Sequence, residues 1–167
     1  TASNFGFTAT NDEKGFLYSG GVAFDFGYPT TIGAYQTDYN GGVIGTDIVL
    51  TKYSQDGTSL EYSTYLGGAS DEVPHSLIIY NDELFMLGTT GSLDFPATAN
   101  AFDNTFNSGP PLLGNGIGIN YTNGCDIVVS RFSADGTELI ASTFLGGTDN
   151  DGFNNSGVLR FNYADQI

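Results

Sequence analysis

Short apolar runs rich in β-branched and aromatic side chains recur along the chain, separated by stretches of turn-forming residues. Residues 5–10, 16–21, 48–53 and 60–66 make a first set, and residues 76–80, 84–89, 127–132 and 139–145 a second. Length and composition read as strands. Asp56-Gly57 and Asp135-Gly136 fall between the third and fourth runs of each set. Asp-Gly between two apolar runs predicts a hairpin, because glycine takes a positive φ with no Cβ in the way. Acidic turns around residues 11–14 and 81–83 precede the second run of each set, and the pairs Gly67-Gly68 and Gly146-Gly147 end the fourth. The 3.6-residue spacing of an amphipathic helix is absent.

The two sets are copies of one another. Residues 47–68 read DIVLTKYSQDGTSLEYSTYLGG and residues 126–147 read DIVVSRFSADGTELIASTFLGG; thirteen of the twenty-two positions are identical, 79 residues apart. Residues 16–21 align with 84–89. Residues 28–40 (YPTTIGAYQTDYN) align with 95–107 (FPATANAFDNTFN), 67 residues apart. The difference is an insertion in the second copy around residues 108–123, whose Pro110, Pro111 and glycines read as a surface loop. Past Gly147 the chain runs into residues 158–163, which align with 76–80 and are read as the first strand of a third unit. Four-stranded units in series predict propeller blades. The expected fold is all-β: a partial β-propeller of two four-stranded antiparallel blades plus the first strand of a third. Blade 1 spans residues 1–72, blade 2 spans 73–152 with the inserted loop 108–124, and residues 153–167 begin blade 3. Each blade needs neighbours on its faces, so the chain is expected to be a fragment whose first partners are the remaining blades of its parent.

The units resemble the SBBP repeats, a bacterial repeat family of seven-bladed-propeller type. The resemblance is carried by Tyr28-Pro29-Thr30-Thr31 with Gly33-Ala34-Tyr35-Gln36, by Phe95-Pro96 with Ala101-Phe102, by the two DIV strands, and by Ser-Thr-(Tyr/Phe)-Leu-Gly-Gly at 63–68 and 142–147. The fuller wording, with Pro74-His75-Ser76-Leu77 and residues 87–92 (LGTTGS), is similar to very large surface proteins of gliding Bacteroidetes. That resemblance implies export by the type IX secretion system, an extracellular or cell-surface address, and roles in adhesion, gliding motility or surface interaction. It implies no particular catalytic activity.

Charge narrows the partners. The formal net charge is −15 and only 14% of residues are charged. A phosphate backbone needs a basic surface, so nucleic acid is not an expected partner. An anionic membrane surface is disfavoured for the same reason, and no apolar run is long enough to insert into a membrane. Surface protein or glycan remains. The one cysteine, Cys125, cannot close an intramolecular disulfide and is expected to fill apolar space beside the strand beginning at Asp126.

Candidate chemistry is sparse. His75 is the one histidine, and no G-x-S-x-G elbow accompanies it. Asp71-Glu72 and Asp149/Asp151 stand at matching positions after the Gly-Gly pairs, where a carboxylate pair could serve glycoside hydrolysis. Against this, the chain has no tryptophan to stack on a sugar, and residues 54–58 lack the sialidase Asp-box pattern. Asp149-Asn150-Asp151-Gly152 resembles the start of an oxygen-rich calcium loop, without the bidentate Glu that completes an EF-hand. Structural calcium on Asp149, Asn150 and Asp151 is thus weighed against a plain solvated turn, and no catalytic residue or other cofactor is expected. Asn120-Tyr121-Thr122 and Asn154-Asn155-Ser156 fit the N-glycosylation pattern, which means little by itself. An exposed blade edge pairing with another chain would make the module a spacer or filament subunit instead.

Overall fold

The computed structural model describes residues 3–41, 45–113 and 118–152. The expected strand at 158–163 and the Asn154-Asn155-Ser156 pattern lie outside these residues. Among the described residues eight strands form: β1 (Asn4–Asn11), β2 (Leu17–Ala23), β3 (Asp47–Tyr53), β4 (Leu60–Leu66), β5 (Glu72–Tyr80), β6 (Glu83–Thr90), β7 (Asp126–Phe132) and β8 (Leu139–Leu145). They make two antiparallel meanders, β1-β2-β3-β4 and β5-β6-β7-β8. The protein is all-β, with two blades of a partial propeller. Glu72 already belongs to the second blade.

The hairpins form where expected, through more specific chemistry than Asp-Gly alone. In the β3–β4 turn Asp56 Oδ1 accepts from Ser54 Oγ at 2.7 Å, Thr58 Oγ1 at 2.8 Å and Thr58 N at 3.1 Å. Asp135 repeats this with Ser133 and Thr137 at 2.7, 2.9 and 3.2 Å. Gly57 and Gly136 follow at φ of 69° and 70°. The β5–β6 turn is tighter: Asn81 and Asp82 both take positive φ, 52° and 66°, as a two-residue type I′ turn requires.

One sequence alignment shifts. Leu17 pairs with Tyr53, and Leu84 pairs with Phe132. Leu17 therefore corresponds to Leu84, not Phe16, and the pairing of residues 16–21 with 84–89 is one residue out of register. The cause is the shorter β5–β6 turn. The slip matters because one residue along a strand exchanges the two faces. Strand β5 also starts four residues earlier than expected. His75 is bulged between Pro74 and Ser76, as Phe7 is between Gly6 and Thr8 in β1. Pro74 has no N–H to give the ladder, and a bulge is where a strand tolerates that.

The blades pack face to face. Tyr18, Ile48, Leu50, Tyr62 and Leu66 of blade 1 share one core with Leu77, Leu84, Met86, Val128, Phe132 and Phe144 of blade 2. Glycines let the two backbones approach: a Cβ at Gly88 would lie 3.4 Å from Ile48 Cδ1, and one at Gly136 would lie 2.4 Å from the Tyr62 ring.

The long β2–β3 and β6–β7 connections are straps over the outer edge strands. Thr31 N donates to Ser63 O at 3.0 Å, and Tyr65 N donates to Gln36 O at 3.0 Å. In blade 2 Thr98 N donates to Ser142 O and Phe144 N to Asp103 O, both at 2.9 Å. The β4 and β8 edges, which an open blade would offer to another chain, are thus already engaged. Each strap is fixed by a three-ring cluster. Tyr28 and Tyr39 each sit 6.1 Å from Tyr65, and Phe95 and Phe106 each sit 6.1 Å from Phe144, all edge-on. In blade 1 the Tyr65 hydroxyl also accepts from Tyr28 N at 2.9 Å. Tyr65→Phe keeps the ring but strands that N–H, and is expected to cost about 1–2 kcal/mol, read as a lowered urea midpoint.

Candidate functional site

The chain passes from blade 1 to blade 2 through residues 67–72, and the ionisable groups gather there. Asp47 opens β3 and is fully buried. Its Oδ2 accepts from Asn40 N at 2.8 Å and Gln36 Nε2 at 2.9 Å, which ties the strap to the sheet. Its Oδ1 has no hydrogen-bond partner. Glu72 opens β5 and is also fully buried. Its Oε1 accepts from Thr90 Oγ1 at 2.6 Å and its Oε2 from Gly68 N at 3.1 Å. Gly67 separates the two acids: a Cβ there would fall 2.5 Å from Glu72 Oε2 and 2.6 Å from Asp47 Oδ1. Only glycine fits.

Burial dominates the electrostatics of this junction. Desolvation pushes Asp47 up to about 6 against its hydrogen-bond donors. It lifts Glu72 well above the ordinary carboxylate range, with the Asp47 charge adding to the effect. Asp71 and Asp126 shift upward for the same primary reason. Asp71 Oδ2 accepts from Asn120 N at 2.5 Å.

The junction recurs after blade 2. Glu72 N donates to Thr46 O at 2.9 Å, and Asp151 N donates to Cys125 O at 2.7 Å. Gly68 N donates to Glu72, and Gly147 N donates to Asp151 Oδ2 at 2.7 Å. Glu72 therefore matches Asp151 and Asp71 matches Asn150. Asp149, taken from the sequence as one of the paired acids, falls opposite Ser70 and is exposed.

The three residues considered for calcium hold three separate places. Asn150 is engaged at both ends: its Oδ1 accepts from Cys125 N at 3.0 Å, and its Nδ2 donates to Pro110 O at 2.9 Å. Asp151 closes the junction turn, and Asp149 faces solvent. Among the described residues no cluster of three or more His, Cys, Asp or Glu side chains is placed to hold a metal.

The insertion is only partly the surface loop expected. Leu112 and Tyr121 exchange both backbone hydrogen bonds at 2.9 Å. Ile119 and Tyr121 are buried with Val22, Val73 and Cys125 in a second core. Cys125 fills apolar space as expected, and burial pushes its thiol up to about 12, far from a reactive thiolate. Asp71 and Asn150 hold the insertion from the two junctions. The alternation of Ile119 and Tyr121 about Asn120 was the available sequence signal. His75 lies in its bulge, hydrogen-bonded to Thr89 Oγ1, and burial pushes it down to about 4.

Compared with models of known protein families, the chain matches none, and no curated protein matches it.

Proposed function

We propose that the chain is a non-catalytic propeller module of a large secreted cell-surface protein, serving adhesion, gliding motility or another surface interaction. The observation that carries this reading is the orientation of the buried acids. Asp47, Asp71 and Glu72 are turned inward, each accepting donors from its own chain. A glycosidase needs two carboxyl groups facing one sugar bond. Among the side chains the straps turn outward, two apolar ones recur. Phe26 and Leu93 stand at equivalent positions of the two straps and are 82% and 70% exposed. Repeated apolar side chains on surface connections, held by a rigid frame, suit recognition of a surface protein or glycan. The cell-surface address and the type IX route rest on the resemblance of the repeat. The test is a panel of chromogenic glycosides beside arrays of glycans and surface proteins. The expected result is no turnover, with binding lost when Phe26 and Leu93 become serine. Turnover abolished by Asp71→Asn or Asp149→Asn would replace this reading with a glycan-active enzyme.

A further inference from the structure

The strands give the molecule two ends. Every connection leaves the sheets either at the hairpin end, through residues 12–16, 54–59, 81–82 and 133–138, or at the strap end, where the straps and junctions start. Charge divides between the two. Among the described residues the Lys and Arg side chains are Lys14, Lys52 and Arg131, and all three stand at the hairpin end. Lys14 pairs with Asp82 across the blades, Arg131 pairs with Glu83, and Lys52 lies over the Phe16 ring at 4.6 Å.

The strap end has the opposite character. Asp25, Asp38, Asp94 and Asp149 are exposed there, with no Lys or Arg beside them among the described residues. His75, in β5, is held at about 4 by burial and adds no charge at neutral pH. The field of these acids reaches inward. After desolvation, the Asp94 charge helps push the Asp47 carboxyl up, and the Asp25 charge helps push the Tyr39 and Tyr65 hydroxyls up.

The recurring apolar pair sits inside this field. Phe26 follows Asp25, and Leu93 precedes Asp94. Their exposure does not come from a missing neighbour. Phe26 stays exposed with blade 2 in place after it, and Leu93 stays exposed with blade 1 in place before it. The position is open whether the packed blade follows or precedes it.

We infer that the strap end docks a basic protein segment that carries apolar side chains, with Phe26 and Leu93 as its anchors and Asp25 and Asp94 as the acids that meet its cations. Stacking on a sugar uses the flat face of an aromatic ring, and one of the two anchors is a leucine. The apolar side chains of a protein pack on either. An end of one sign steers a partner of the opposite sign and repels anionic ones. The inference rests on the recognition role proposed for the straps and names the class of partner within it.

The test pans a random peptide library on the 167-residue chain and measures the most enriched peptide by fluorescence anisotropy. Enriched sequences are expected to combine Lys or Arg with Leu, Ile or Phe. Phe26→Ser with Leu93→Ser is expected to weaken binding about tenfold or more. Asp25→Asn with Asp94→Asn is expected to weaken it about threefold or more at low ionic strength, a difference that vanishes near roughly 1 M salt. The amide at 94 keeps an oxygen for Ala69 N, which Asp94 Oδ1 accepts at 2.9 Å. Glu61→Gln with Glu138→Gln removes the same formal charge from exposed residues of the hairpin end, and is expected to change binding by about twofold or less. All six positions are exposed, so the urea midpoints of the three double variants are expected to match the parent's. No enrichment, enrichment of acidic or uncharged peptides, or equal losses from the two pairs of charge substitutions overturns the inference. So does an anionic glycan held on this end through added calcium. Turnover of a chromogenic glycoside would instead remove the recognition role itself. Glycan binding that depends on Phe26 and Leu93, without peptide binding, would keep that role and remove the inference alone.

Discussion

Phe132→Ala is expected to destabilise the protein by about 3–5 kcal/mol and to lower Tm by roughly 10 °C. Phe132 ends β7 fully buried, in the core shared by the two blades. Truncation removes a ring's worth of buried contact, and the surrounding strands cannot close the space because both backbones are fixed by their ladders. It also removes the surface on which Tyr35 rests. The equivalent residue in blade 1, Tyr53, is only half-buried and hydrogen-bonds Ser19 Oγ at 3.2 Å. Tyr53→Ala is expected to cost less than half as much, although the repeat aligns the two positions. A double-mutant cycle between Phe132 and Tyr35 is expected to return about 0.5–1.5 kcal/mol of coupling, the usual range for an edge-on aromatic pair. Equal losses at Phe132 and Tyr53, measured by urea unfolding, would show that the inter-blade core is not where the stability lies.

That contrast also shows where the sequence was readable. The strands were legible because each is an apolar run with a turn signal beside it, and the Ser-x-Asp-Gly-Thr hairpins repeat atom for atom. The straps were visible as conserved wording between the two copies, but not as edge covers. Their hold on β4 and β8 runs mainly through backbone groups such as Thr31 N and Thr98 N, which leave no periodicity in the side chains. The register of β2 against β6 was misread because the turn before it differs by one residue between copies, and only ladder pairing reveals that. The junction acids were legible in part: Glu72 corresponds to Asp151, but Asp71 corresponds to Asn150 and not to Asp149. Asp47 was missed as a functional group. In sequence it is simply the first letter of a strand, and its burial comes from the strap folding over it.

Acidifying the solution from pH 8 to pH 5 is expected to stabilise the protein. A carboxyl group whose folded pKa lies above its unfolded value holds its proton more tightly in the folded chain. Its contribution is complete below about pH 4, and it is lost as the pH rises through the folded value. For Asp47 that value is about 6, which corresponds to about 3 kcal/mol as an upper bound. Glu72, Asp71 and Asp126 act in the same direction. The net charge of −15 also weakens as carboxylates take up protons, which relieves self-repulsion. His75 opposes them within this window: burial pushes it down to about 4, so below about pH 6.5 the unfolded chain takes up its proton first. The four carboxyl groups together are expected to outweigh it. Asp56 and Asp135 oppose as well, but in a different window. Hydrogen bonds from Ser54 and Thr58 hold Asp56 down at about 2, and those from Ser133 and Thr137 lower Asp135. Their contributions are lost only as the pH falls through those depressed values, so stability should peak on the acid side of neutrality and decline again in strong acid. The sharper test is Asp47→Asn. The amide oxygen can keep the donors Asn40 N and Gln36 Nε2, and the amide nitrogen then takes the place of Oδ1, the oxygen that has no donor and that faces Glu72 across Gly67. The substitution is expected to raise the urea midpoint at pH 8 and to flatten the rise between pH 8 and pH 5. A midpoint that instead climbs steadily from pH 5 to pH 8 even after His75→Gln, which removes the buried imidazole's opposing titration, would mean that these carboxylates are ionised and stabilised in the fold, and that the junction is held by charge and not by its neutral forms.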